Sequence, residues 1–216
     1  MSKIKVLQLH PKYNIKKIDI SDLGEQIFKA LPDDRFATVN GFFVGRPTES
    51  EPISCADQSI YFEFTEKQLK GLRITALWTL YKYLKKENFD VVICNRYKPV
   101  NMLLTLSRFL NIPLCIGIAH GFGDYDRAYR RKQVKKRINR NWKFVGVSPA
   151  VKDYLLGLKS GFTEENTVSI TNAIDTEKAK EIILDKPAAR MELGLNQSVE
   201  IVGALGRLVP LKGHAN

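Results

Sequence analysis

Short runs of apolar residues alternate along this chain with segments whose apolar positions recur every three or four residues. Residues 4–10 read as a first strand, and Ser21-Asp22 supplies an N-cap for a helix reaching about Leu31. Pro32-Asp33-Asp34 turns the chain into a second strand over 36–44, and residues 45–57, with Pro47 and Pro52, read as a loop before an alternating strand over 59–64. Leu69, Leu72, Ala76, Leu80 and Tyr83 then recur at helical spacing, while Lys67, Lys70, Lys82, Lys85 and Lys86 take the other faces. Further strands are expected at 91–94, 114–118, 144–147 and 167–170, with helices over 101–110, 127–143 and 149–158. Nearly continuous apolar strands separated by helices indicate a parallel sheet covered on both faces. The expected class is α/β, a doubly wound, Rossmann-like sheet.

The pattern changes near Asn172. A helical stretch over 176–193 leads to another apolar run at 199–205, expected to be a strand. This predicts a first domain over 1–172, followed over 173–216 by a linker and the first strand of a second domain.

Composition narrows the class. The chain has 216 residues, 44% hydrophobic and 26% charged, as a globular protein does. No apolar run approaches the roughly 20 residues that span a bilayer, and the start has no signal-peptide core, so a cytoplasmic location is expected. The three cysteines lack CxxC spacing, which argues against a disulfide framework and a structural zinc site; Cys94 and Cys115 read as small buried hydrophobes. Thirty-four Lys and Arg against 23 Asp and Glu leave +11, which implies an anionic partner: nucleic acid, a phosphorylated small molecule or an acidic membrane surface.

The distribution of that charge adds to this. Residues 127–143 hold nine Lys and Arg and no Asp or Glu, with an apolar stripe of Val134 and Ile138 extended by Tyr129 and Trp142. A basic amphipathic helix suits an anionic membrane surface, with Arg130, Arg131, Lys135 and Arg137 as contact candidates.

Neither GxGxxG after the first strand nor GxxxxGK[ST] is present, which disfavours a nicotinamide dehydrogenase and a P-loop NTPase. His10 ends the first strand, and His120-Gly121-Phe122-Gly123 follows another, where doubly wound folds bind ligands. Asp124 and Asp126 lack a third metal ligand nearby. Near the end, Arg207 and Lys212 lie between Gly206 and Gly213 and could clamp a diphosphate, with fork-like hydrogen bonds from Arg and a point charge from Lys.

The segment 206–214 resembles the "GRLxxxKG" that opens the second domain of retaining GT-B glycosyltransferases of family four. Ile118-Ala119-His120-Gly121 resembles the family's strand-end "HG", residues 145–151 (Val-Gly-Val-Ser-Pro-Ala-Val) its "vaVSxaV" junction, and residues 170–175 (Ile-Thr-Asn-Ala-Ile-Asp) its "IPNGID" hinge. The resemblance implies two facing Rossmann domains, the first for the acceptor and the second for the nucleotide-sugar donor. It implies that Arg207 and Lys212 bind the donor diphosphate and that His120 contacts the donor sugar as the catalytic candidate. His10, Gly121, Ser148 and Asn172 become cleft or acceptor candidates, with Asp175 near the hinge.

No metal or further cofactor is expected beyond the nucleotide-sugar co-substrate. The chain departs from the family at Ala173, where a glycine is usual, and in the loop after the first strand, where only Gly24 is present. The family's paired glutamates would lie beyond Asn216, so the 216-residue chain is expected to be a fragment that transfers no sugar by itself. The expected whole is a retaining hexosyltransferase moving sugar to a glycan or lipid-linked acceptor in bacterial cell-envelope polysaccharide or lipopolysaccharide synthesis. It would sit peripherally on the inner face of the cytoplasmic membrane. Two rival expectations are a nucleic-acid-binding Rossmann protein, which no RNP, helix-turn-helix or zinc pattern supports, and a non-catalytic binding module.

Overall fold

Seven strands pair in parallel in the order β3-β2-β1-β4-β5-β6-β7 in a computed structural model that describes residues 2–15 and 22–206. The strands are β1 (Ile4–His10), β2 (Phe36–Phe42), β3 (Gln58–Tyr61), β4 (Val91–Asn95), β5 (Leu114–Ala119), β6 (Trp142–Gly146) and β7 (Thr167–Ser169). The helices are α1 (Leu23–Lys29), α2 (Ile74–Glu87), α3 (Tyr97–Leu106), α4 (Ala128–Arg137), α5 (Pro149–Gly157), α6 (Thr176–Ile182) and α7 (Lys186–Glu192). The chain divides into two compact units, residues 1–176, which hold the whole sheet, and residues 177–216.

The apolar strands are buried on both faces, as their composition demands. On one face Leu7, Leu9, Val92, Cys94 and Cys115 pack with Leu80 of α2, Leu103 of α3 and Leu155 of α5. On the other, Val6, Ile93 and Ile118 pack with Leu23 and Ile27 of α1. Cys94 and Cys115 are buried free thiols, and burial pushes Cys115 up to about 12. The first half of the chain grows outward from β1 through β2 to β3. It then returns to β4 on the other side of β1, and the reversal opens a crevice at the carboxyl ends of β1 and β4.

Several elements differ from expectation. The helix expected from Leu69 begins at Ile74, because Gly71 (φ 59°) and Arg73 (φ 55°) are left-handed and cannot continue a right-handed helix. Leu72 is consequently 81% exposed. Helix α3 starts four residues earlier than expected, at Tyr97, and tolerates Pro99 in its first turn. The basic helix stops at Arg137, since Ile138 is extended, and Trp142 is a buried residue of β6 rather than part of the helix stripe. Residues 176–193 form two helices, the second opened by Asp185 and Pro187. Residues 199–205 form no strand: none of the described strands pairs with them, and an isolated strand has no ladder to stabilise it.

Candidate functional site

Parallel register brings the carboxyl ends of three strands to one level. Leu9 pairs with Cys94, and Asn95 with Ile118, so His10, Asn95 and His120 emerge together. They line a cleft of about 370 Å³ with Asp22, Gly24, Arg96 and Asn172.

Local packing fixes each of these residues. The Asp22 carboxylate accepts from the amides of Gly24 (2.9 Å) and Glu25 (3.2 Å), which starts α1 at the cleft edge. Gly24 lets α1 pack closely there, because a Cβ would lie 2.4 Å from Gln8 Nε2 and 2.9 Å from His10 Cε1 and would force those side chains to shift. The buried Glu25 carboxylate accepts from Asn40 Nδ2 (3.1 Å), Ser54 Oγ (2.8 Å) and the Cys55 amide (2.7 Å), tying the loop before β3 to α1. His10 stacks on Phe42 at 5.3 Å between centroids. The Gln8 amide nitrogen donates to His10 Nε2 at 2.7 Å, which leaves the ring proton on Nδ1. His120 Nε2 donates to Asn95 Oδ1 at 2.8 Å, leaving Nδ1 as that ring's acceptor. Asn95 Nδ2, in a residue only 3% exposed, has no protein partner among the described residues. A buried amide donor that the fold leaves unpaired favours a ligand acceptor.

Both imidazoles are held neutral. Burial, reinforced by His120, lowers His10 to about 3; burial, reinforced by Arg96, lowers His120 to about 4. At neutral pH the two rings are therefore hydrogen-bonding groups suited to hydroxyls, and Arg96 and Lys12 bring positive charge to the cleft wall. Arg96 sits at φ 65°, between β4 and α3, a conformation that L side chains adopt uncommonly.

The shifts set a pH dependence of stability. The unfolded chain protonates its histidines near 6.5, whereas the folded rings resist until about 4 and about 3. Stability is complete above 6.5 and is lost as pH falls, by about 1.4 kcal/mol per pH unit for each histidine, down to those values. Urea unfolding at pH 7 and pH 5 checks this: the native chain loses stability over that interval, and the His10→Gln, His120→Gln double variant shows a markedly flatter profile.

The structure places the sequence candidates unevenly. His10, His120 and Asn172 share the cleft, whereas Gly121 and Ser148 do not line it. Ser148 instead caps α5, its Oγ accepting from the Val151 amide at 3.3 Å. Asp175 pairs with Lys29 at 2.5 Å. Arg207 and Lys212 lie outside the described residues. Three of the four basic candidates bind this chain: Arg130 donates to the Asp124 carbonyl (2.7 Å), Arg131 to the carbonyls of Tyr125 and Asp126, and Arg137 to Thr105 Oγ1 (2.7 Å). Lys135 is exposed. Among the described residues no three His, Cys, Asp or Glu side chains gather as a metal site, and no helix is long and apolar enough to cross a membrane. Sequence reasoning missed Asn95 and Arg96. The signal was their place directly after the apolar run of β4, the neighbour of β1 at the reversal point.

The model of Glycosyltransferase Family 4 matches residues 43–178. The chain belongs to Glycosyltransferase Family 4. Solved structures place this Family 4 chain among GT-B folds. Anabaena HepE in complex with UDP-glucose aligns with a TM-score of 0.62 and 18% identity, over 98% of this chain and 55% of HepE. A glycosyltransferase from Rickettsia africae gives 0.68 and 17%, over 92% and 52%. Sucrose-phosphate synthase from Thermosynechococcus elongatus gives 0.63 and 15%, over 90% and 53%. At these identities the likeness is one of fold, and the Family 4 chain spans about half the length of each. No curated protein sequence matches it.

Proposed function

We propose that this Family 4 chain forms the acceptor-side half of a glycosyltransferase that moves a hexose, with retention, from a nucleotide-sugar donor to a glycan or lipid-linked acceptor. The observation that carries the reading is the cleft at the β1–β4–β5 ends. Two neutral imidazoles, an unpaired buried amide and a guanidinium converge there on a Family 4 fold, and HepE of the same fold was solved with UDP-glucose. Fixed donors and acceptors of this kind can pair with sugar hydroxyls and hold the sugar in one orientation. His120 would contact the donor sugar, and Arg207 and Lys212 would neutralise the diphosphate as it leaves. This chemistry calls for no metal and no cofactor beyond the nucleotide sugar. Residues 173–216 would lead into the donor-binding domain.

The test is nucleotide release coupled to transfer, measured in the intact protein with Arg207→Gln and Lys212→Gln. Loss of one preorganised charged donor from a transition state costs about 10²-fold or more in kcat, and that loss is expected. Unchanged turnover would instead mark a non-catalytic binding module.

The reading extends to a cytoplasmic, peripheral position on an anionic membrane and to envelope glycan synthesis. Lys132, Lys135 and Lys136 are exposed on α4, and α2 presents Ile74 and Trp78 and the turn after α3 presents Phe109 to solvent, with Lys82 over the Trp78 ring at 5.9 Å. Exposed aromatic and aliphatic side chains beside lysines suit an anionic lipid surface, at about 1 kcal/mol per lysine. Replacing the three α4 lysines with Gln should weaken flotation with anionic vesicles about tenfold or more, and undiminished flotation would reject the membrane element.

A further inference from the structure

A second cavity of about 490 Å³ lies beside the cleft and shares Pro11 and Arg96 with it. Its wall carries Lys70, Arg73, Arg96, Lys98 and Arg130 against one carboxylate, Asp124. Lys70 pairs with Glu66 at 3.2 Å. The other four cations have no carboxylate oxygen within 4.0 Å among the described residues. Like charges gathered in a concavity raise each other's energy and draw in an anion, because low-dielectric walls focus their field.

These cations are also held in place. Arg73 Nη2 donates to Asn101 Oδ1 at 2.8 Å, and Asn101 Nδ2 donates in turn to the Tyr97 hydroxyl at 2.9 Å. Arg130 lies over the Tyr97 ring, 4.5 Å from its centroid, and donates to the Asp124 carbonyl. One Tyr97–Asn101 pair therefore orients two guanidinium groups from different elements, and each keeps free N–H groups of its fork. Arg73 and Arg96 occupy the N-cap positions of α2 and α3, at φ 55° and 65°. Two helix N-termini, where amide groups lack intrahelical partners, thus meet the same cationic cavity.

We infer that this cavity binds a phosphate group carried by the acceptor, gripped by Arg73 and Arg130, while Arg96 joins it to the sugar cleft. A tetrahedral oxyanion matches guanidinium forks from two directions, and neutral hydroxyls would leave the excess of these cations over Asp124 uncompensated. The assignment of this phosphate to an acceptor rests on the glycosyltransferase reading; the binding of phosphate does not.

The experiment is calorimetric titration of the 216-residue chain with inorganic phosphate, glucose 6-phosphate, glucose and phosphatidic-acid vesicles. Inorganic phosphate is expected to bind, and glucose not to. Arg73→Gln should weaken phosphate about tenfold or more, Arg73→Lys less, and Lys186→Gln on α7 not at all. Glucose 6-phosphate tighter than inorganic phosphate assigns a soluble phosphosugar; engagement of vesicles without that gain assigns a lipid headgroup. Either supports the site. If phosphate fails to bind at millimolar concentration, or binds equally well to Arg73→Gln with an unchanged melting temperature, the inference is overturned. Because no donor or transfer enters the titration, its failure leaves the glycosyltransferase reading standing.

Discussion

Replacing His120 with Ala should lower kcat for sugar transfer by the intact protein about 10²-fold or more while the protein stays folded. The ring sits on the cleft wall, held neutral by burial and by Arg96, and its Nε2 proton is committed to Asn95. Its Nδ1 is left to accept from a hydroxyl. Removing it costs the contact and also frees Asn95, whose Nδ2 already lacks a partner among the described residues. His120→Asn should recover part of the activity, since an amide can occupy the same hydrogen-bonding position. A His120→Ala protein with native turnover would show that the cleft handles no reacting sugar.

Among the described glycines, Gly146→Ala should be the most damaging substitution, because its close contacts are backbone atoms. Gly146 closes β6, where the first turn of α5 crosses it, and an added Cβ would lie 2.5 Å from the Lys152 amide nitrogen and 2.9 Å from the Val151 carbonyl carbon. Both are backbone atoms, so relief requires α5 to move off the sheet. That removes Val151 and Leu155 from the core. Overpacking of this kind costs about 3 kcal/mol, and at about 2–4 °C per kcal/mol for a chain of this size the melting temperature falls by about 6–12 °C. Gly157→Ala is the internal control. Its added Cβ meets nothing within 4 Å and sits in α5, so the helix gains propensity and stability holds or rises slightly. Thermal unfolding of the two variants, one falling and one not, checks the account.

The sheet was legible because parallel strands buried on both faces leave a near-continuous apolar signature, and Val91–Asn95 and Leu114–Ala119 show it plainly. Helix limits were less so. The apolar recurrence from Leu69 onward looks helical, but periodicity carries no record of the left-handed backbone at Gly71 and Arg73 that delays α2. Leu69 is buried by the preceding turn and Leu72 is not buried at all.

The two histidines were found by position, each directly after an apolar strand. Asn95 and Arg96 obey the same rule, yet polar residues after a strand also look like an ordinary turn. Their importance follows from β4 lying beside β1, a pairing between segments 85 residues apart in the register of Val6 with Val91. Trp142 shows the opposite error, a buried strand residue read as part of a helix stripe. The run of like charge on α4 likewise carries no record that Arg130 and Arg131 anchor the loop that carries Asp124 to Asp126.

Isotope-edited NMR of the intact protein can follow the His10, Asn95 and His120 side chains and the Gly24 amide as the nucleotide-sugar donor is added. If the cleft holds the sugar, a binding-dependent shift of these four signals accompanies saturation, with Asn95 Nδ2 among the largest. Saturable binding that leaves all four unmoved would contradict it.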